Sequence, residues 1–340
     1  MVTINRTFLK NSLNFDNKKY YMPHTICILT GPTASGKSEI AVKIAEKTGA
    51  AIVSADSMLI YRGMDIGTEK PSREVRNKIP HYLIDIRDPW EEYSVGNYIK
   101  DFEDVTNNLY AQEKPFIVVG GTALYLKAIM EGLFNGPPAN WEYRNHLKKV
   151  VREQGAGSLY AMLEAIDPKT ANRLHTNDQR RIIRALEVFK QTGIAISSYQ
   201  TQFGNKNPNY NCIIAAIAHD RKELYKRIET RVDSMFSRGL IDEVQTLMLN
   251  PLGLSKQASQ ALGYKEVIDY LEGNYSLQEV IDAIKQGTRR FAKRQMTWFR
   301  SFSDVYWITA DAFDDKDAFA ENILDYFAQK KPFIEKTLSY

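Results

Sequence analysis

Cysteine is scarce in this chain. Its two cysteines, Cys27 and Cys212, each lie within an apolar run. That excludes a disulfide framework and a thiolate metal centre, and it fits a reducing cytoplasm. Long hydrophobic stretches are missing too: no run approaches the ~18 residues that a membrane span needs. Residues 1–21 are polar, rich in Asn and Lys, and lack the apolar centre of a secretion signal. They are expected to form a loosely ordered extension ahead of a core that starts at Met22. A strong charge of either sign is absent. The net charge of +4 gives no argument for a polyanion partner, which must be sought in local clusters instead. There is no repeat, no low-complexity tract and no Asn-Lys-x-Asp motif, which argues against a GTPase-type switch.

What is present is the composition of a soluble globular protein, 44% hydrophobic and 25% charged over 340 residues. This length suits two domains, or one domain with a large insertion. The most informative stretch is Thr25-Ile26-Cys27-Ile28-Leu29-Thr30-Gly31-Pro32-Thr33-Ala34-Ser35-Gly36-Lys37-Ser38. An apolar run, read as a buried strand over 26–29, enters a G-x-x-x-x-G-K-[ST] phosphate loop, and residues 39–47 carry apolar side chains at helical spacing. Glycines let successive backbone N–H groups turn toward an anion, and the helix N-terminus adds partial positive charge. In this pattern Lys37 reaches the terminal phosphates and Ser38 faces a Mg²⁺ ion. Read alone, the loop points to ATP, but it leaves the identity of the di- or triphosphate open.

A second apolar run, 51–55, ends in Asp56. Ligands of an open parallel sheet gather at the carboxyl ends of its strands, which would put Asp56 on the rim that carries the phosphate loop. A turn or helix-capping acid explains it equally well. A third strand is expected over 81–86 and an amphipathic helix over 98–112. A fourth strand, 115–119, is apolar throughout and therefore central. It runs into Gly120-Gly121-Thr122, without the metal-binding acid that a phosphate-loop ATPase carries there. Glycines and a hydroxyl suit a bulky ligand.

Gly- and Pro-rich residues 132–138 mark an internal boundary. The pattern is then helical, with Pro168 starting a helix, until polar residues 201–211 lead back to strand character over 212–217. The division is an α/β core, 22–136 and 207–340, with a helical insertion, 137–206. Arg180, Arg181 and Arg184 cluster near a helix start, where a solvated face is the ordinary reading. Residues 221–286 are again helical, and Arg227 and Arg231 share a face. Residues 289–300 hold five cations and three aromatics without an acid. A membrane-surface or partner-binding helix has the same pattern. The interleaved aromatics favour nucleic acid, because guanidinium groups and rings stack on unpaired bases. A last strand over 304–309 and a tail helix complete the chain.

With these residues laid out, the chain resembles the tRNA dimethylallyltransferases (isopentenyl-tRNA transferases) over roughly 23–309. The motifs occur in the family's order: the loop at 31–38, Ser54-Ala55-Asp56-Ser57-Met58, Tyr61-Arg62-Gly63-Met64-Asp65-Ile66-Gly67-Thr68, the stretch 80–88, and Gly120-Gly121-Thr122. Leu124-Tyr125-Leu126-Lys127, Arg181-Ile182-Ile183-Arg184-Ala185-Leu186-Glu187, Leu262-Gly263-Tyr264-Lys265-Glu266, and Ala292-Lys293-Arg294-Gln295 with Thr297-Trp298-Phe299-Arg300 follow.

The resemblance implies an α/β fold with a parallel core like that of the P-loop NTPases, an inserted all-helical domain and a helical C-terminal part. It implies transfer of a dimethylallyl group from dimethylallyl diphosphate to the N6 amine of the adenosine 3′ of the anticodon, with Mg²⁺ held at Ser38. Thr33, Lys37 and Asp56 would be catalytic, with Asp56 the general base. Gly31, Pro32, Thr33, Ala34, Ser35, Gly36, Lys37 and Ser38 would hold the donor diphosphate, with Arg227 or Arg231 as a further clamp. Asp56, Ser57, Met58, Leu59, Thr122, Arg144, Arg180, Arg181, Arg184, Gln260, Lys265, Lys293, Arg294, Gln295, Trp298 and Arg300 would face tRNA. A cytoplasmic monomer binding the anticodon stem-loop, and no membrane, is the expectation.

Four positions depart from the family pattern: Leu59 where Gln is usual, Ala123 where Gly is usual, and Arg180 with Gly287 where Gln and Arg are usual. The C-terminal zinc-finger extension of the eukaryotic members is not found in this sequence, so the bacterial or organellar type is expected. Prenylation of free adenine nucleotides and a small-molecule kinase remain as alternatives. The insertion and the cationic segment argue against the first.

Overall fold

Six strands form one sheet in which every pairing is parallel: β1 (His24–Thr30), β2 (Ala51–Ser54), β3 (His81–Tyr82), β4 (Phe116–Gly120), β5 (Tyr210–Ala218) and β6 (Val305–Thr309). The computed structural model describes residues 24–134, 136–199 and 206–330. The extension expected over 1–21 lies outside them. The strand order is β3-β2-β4-β1-β5-β6. The chain thus builds one side of β1 before crossing to the other. β4 sits between β2 and β1, where its unbroken apolar run is buried on both faces.

The two-residue period of a strand divides the core in two. Ile28, Val118 and Ile214 pack with Tyr98, Phe102 and Leu126. Their neighbours Leu29, Val119 and Ala215 pack with Ile40, Ile44 and Phe327. On this second side the helices Lys37–Thr48 and Lys316–Gln329 lie together, joined by Lys43–Asp317 and Lys47–Glu321 ion pairs at 2.8 Å. Thr30 is level with Gly120 and Ala216, and Ser54 with Val119. The carboxyl ends of four strands therefore open on one rim.

The third strand is shorter than the 81–86 expected from its apolar pattern. Leu83 and Asp85 take positive φ values of 61° and 55°, which ends the ladder after Tyr82. The bend brings the Asp85 carboxylate to Lys70 Nζ and Arg76 Nη1, both at 2.6 Å. Lys70, with only 1% of its side chain exposed, also meets Asp65. Desolvation pushes the Asp85 carboxyl up, but the hydrogen bonds and charges of Lys70 and Arg76 outweigh it and hold it below the ordinary range.

A carboxyl held low stabilises the fold above its unfolded pKa of about 4 and loses that contribution as pH falls through the lower folded value. Asp85→Asn leaves the buried Lys70 ammonium with the Tyr61 carbonyl and, as its only carboxylate, the half-exposed Asp65. The expected cost at neutral pH is near the low end of the ~3–5 kcal/mol for breaking a buried pair. Denaturant unfolding should show this difference at pH 7 and a smaller one near pH 3.

A third apolar cluster, with Leu147, Leu159, Leu163, Ile182, Leu186 and Val188, is built within the helices Trp141–Gln154, Ala156–Ile166 and Gln179–Thr192. Pro168 occupies the first turn of Pro168–Ala171. The helix Leu277–Arg300 starts with a Ser276–Glu279 capping box and buries Val280, Ile284, Thr288, Ala292, Gln295 and Phe299 along one stripe. Burial pushes the Cys212 thiol up to about 12. Among the described residues no helix is long and apolar enough to cross a membrane.

Candidate active site

The loop after β1 turns sharply into the helix Lys37–Thr48. A Cβ at Gly31 would stand 2.8 Å from Ser35 Oγ and 2.9 Å from the Ile217 carbonyl oxygen, so no side chain fits there. Ala34 and Gly36 are left-handed, at φ 62° and 83°. Three separate elements hold three consecutive loop residues. The Thr33 N–H donates to Gln295 Oε1 at 2.8 Å, Arg227 Nε donates to the Ala34 carbonyl at 2.9 Å, and His219 Nε2 meets the Ser35 carbonyl at 3.0 Å. His219 Nδ1 is in turn 2.6 Å from Asp311 Oδ1, whose other oxygen accepts the Asp220 N–H at 2.7 Å.

Inside this frame, Lys37, Arg231 and Asp56 lie within electrostatic range of one another. Burial pushes Lys37 down to about 8, with Asp56 opposing that shift and Arg231 adding to it. Burial likewise pushes Arg231 down to about 10 against the pull of Asp56. Two desolvated cations beside one carboxylate leave positive charge that a bound anion would satisfy. The two arginines thus separate: Arg227 grips the outer backbone of the loop, and Arg231 faces the charged cluster.

Asp56 turns out to be a turn acid and a rim carboxylate at once. Its Oδ1 accepts from Met58 N–H at 2.8 Å and Leu59 N–H at 3.4 Å. The Leu59 carbonyl accepts from Asp85 N–H at 3.1 Å, so residue 59 is fixed by backbone contacts that its side chain does not supply. Thr122, at the end of β4, accepts the Ser57 N–H at 3.0 Å and donates to Ser57 Oγ at 3.3 Å. Glu243 organises the next segment by accepting from Asp65, Ile66 and Gly67 N–H groups and from the Tyr264 hydroxyl, at 2.6 to 3.2 Å.

The residues expected to face RNA divide into two groups. Lys293, Arg294, Trp298 and Arg300 are exposed on the last long helix, together with Phe291, and Lys127 lies 5.8 Å from the Trp298 ring centre. Arg180, Arg181, Gln260 and Lys265 are exposed as well. Three others are engaged within the protein. Gln295 is 5% exposed and has both ends of its amide bonded internally. Arg144 forms a bidentate pair with the fully buried Glu187 at 2.7 and 2.8 Å. Arg184 reaches Glu187 at 2.5 Å and the Pro137 carbonyl at 2.9 Å. Glu187 also accepts the Asn140 N–H at 2.7 Å. These contacts tie residues 137–144 to the helix Gln179–Thr192.

His219, Asp311 and Glu243 were missed from sequence. For His219 a sequence signal exists: it follows β5 directly, at the carboxyl end of a strand beside β1, on the same rim as Asp56. Among the described residues no group of three or more His, Cys, Asp or Glu side chains could hold a metal. A divalent ion at the loop would have the exposed Ser38 hydroxyl and would take its remaining ligands from bound phosphate and water, a shell that Mg²⁺ accepts.

Residues 59–302 match a family model described as IPP transferase. The chain is 45% identical over 300 residues to the tRNA dimethylallyltransferase of Natranaerobius thermophilus, covering 87% of this chain and 90% of that protein. It is 44% identical over 309 residues to that of Alkaliphilus oremlandii, covering 90% and 98%. Among solved structures it resembles the full-length tRNA isopentenylpyrophosphate transferase of Bacillus halodurans, with a TM-score of 0.66, 37% identity and coverage of 92% and 97%. The corresponding Staphylococcus epidermidis enzyme gives 0.65, 32%, 90% and 99%.

Proposed function

Because the chain belongs to the IPP transferase family of tRNA dimethylallyltransferases, we propose that it moves a dimethylallyl group from dimethylallyl diphosphate to the N6 amine of the adenosine 3′ of the anticodon in tRNA, releasing diphosphate. The observation that carries this reading is the cluster of Lys37 and Arg231 with Asp56 on the sheet rim. The phosphate loop beside it is held in shape from outside.

An allylic diphosphate ionises readily only when the charge developing on its leaving oxygens meets preorganised donors. Lys37, Arg231 and the loop amides are that set. Mg²⁺, held through Ser38 and the diphosphate itself, would add a Lewis acid for the same charge. The attacking amine is weak because its lone pair is delocalised into the adenine ring. Asp56 takes its proton as the C–N bond forms. The turn that fixes Asp56 orders Ser57, Met58 and Leu59 beside it, with Thr122 bonded to Ser57, which supports reading this segment as the lining for the entering base. Extruding that base from an anticodon loop costs a few kcal/mol at most, less than from a duplex.

The exposed cations and aromatics of 291–300 supply phosphate contacts and stacking surfaces for the RNA. A mononucleotide would leave that surface without use, which favours tRNA over free adenine nucleotides. Incubation with tRNA and either ATP or dimethylallyl diphosphate tests the reading. Consumption of the prenyl donor with release of diphosphate is expected. Consumption of ATP with phosphate appearing on an acceptor would instead make the chain a kinase.

A further inference from the structure

The buried stripe of the helix Leu277–Arg300 contains two polar side chains. Thr288 satisfies itself by donating to the Ile284 carbonyl one turn back, at 2.7 Å. Gln295 has no such local partner. It occupies a position where the pattern asks for an apolar residue, and burying a carboxamide costs a few kcal/mol unless both ends are bonded. Both ends are bonded, to two different parts of the site: Nε2 donates to the Gly121 carbonyl at 2.8 Å, and Oε1 accepts the Thr33 N–H at 2.8 Å. The seat is matched from the other side. A Cβ at Gly121 would stand 2.6 Å from Gln295 Nε2, so only glycine admits the amide.

We propose that Gln295 is the positioning residue of the phosphate loop: it ties Thr33 to Gly121 and so fixes the spacing between the loop and the end of β4 that the donor diphosphate requires. It is not an RNA contact. The inference rests on the reading of the loop as a diphosphate site. It has a chemical corollary. The Thr33 N–H is taken by Gln295 and the Ser35 N–H by the Pro32 carbonyl, so the diphosphate would draw on Lys37 and on the other loop amides. The same helix presents Arg294 and Trp298 outward, so one rigid element carries the loop's anchor on one side and the surface for RNA on the other.

Calorimetric titration of the full chain with inorganic diphosphate and Mg²⁺, without RNA, tests this directly. Gln295→Met keeps the volume and removes both hydrogen bonds. Gly121→Ala displaces the amide from the opposite side while leaving Gln295 in place. Both variants should bind diphosphate at least about tenfold more weakly than the parent. In turnover, both should raise the KM for dimethylallyl diphosphate by a similar factor while the KM for tRNA stays within about twofold. Thermal unfolding identifies a variant that does not fold, in which case the other decides.

Unchanged diphosphate affinity in a folded variant would overturn the inference. So would a rise confined to the KM for tRNA, which is the signature of an RNA contact. If the parent itself binds no diphosphate, the reading of the loop falls and the inference with it.

Discussion

Asp56→Ala should slow prenyl transfer by about 10²–10⁴-fold, the usual span for loss of a positioned general base, while tRNA binding by fluorescence anisotropy stays at the parental level. The chemistry demands a base at this step. The adenine amine acquires positive charge as the allyl carbon bonds to it, and a carboxylate on the rim can remove the proton. Asp56 has a second task, however: its Oδ1 accepts the Met58 and Leu59 N–H groups. Alanine removes both functions. Asp56→Asn separates them, because an amide oxygen still accepts those two N–H groups but cannot take a proton. The asparagine variant should be nearly as slow as alanine. Recovery of most of the activity in Asp56→Asn would reduce Asp56 to a turn acid and leave the reaction without its base.

Lys37→Ala should raise the KM for dimethylallyl diphosphate about 10–100-fold, matching the ~1.5–3 kcal/mol of a charge-assisted hydrogen bond. It should lower kcat as well, because charge on the leaving diphosphate grows in the transition state. The environment adds a pH signature. Burial holds Lys37 at about 8 in the free protein, so its charge is present below that pH and lost above it. The donor KM of the parent should therefore climb as pH passes about 8, while Lys37→Ala should lack that climb. Lys37→Arg is not expected to restore the parent, because a planar fork does not replace a compact ammonium in this space. Donor kinetics unaffected by Lys37→Ala would count against any phosphate-holding role.

The parts of this site legible in the sequence are those set by short-range chemistry. The phosphate loop is one, since its glycines and the helix after it are contiguous. The central place of β4 followed from an unbroken apolar run, and the rim position of Asp56 from the end of β2. What escaped depends on partners far away in the chain. The Thr33–Gln295 bond spans 262 positions and the His219–Ser35 contact 184, and neither side chain stands in a local pattern that names its partner.

Gln295, expected to face tRNA, is buried with both ends of its amide bonded within the protein. It sits among exposed cations in sequence, but the helical period turns it inward between Ala292 and Phe299. For Arg144 and Arg184, expected from the resemblance to face tRNA, a lone Glu187 in an apolar stretch does not announce that it is fully buried between them. The third strand failed differently. Leu83 is a residue that rarely accepts positive φ, and nothing local shows that Lys70 and Arg76 would draw Asp85 out of the ladder.

The most direct test of the central reading is mass spectrometry of anticodon-loop nucleosides from cells with and without this gene. Adenosine carrying a dimethylallyl group on N6, next to the anticodon, should be present in the first and lost in the second, and it should return with the parental chain but not with Asp56→Ala. An unchanged level of prenylated adenosine in cells lacking the gene would contradict the assignment.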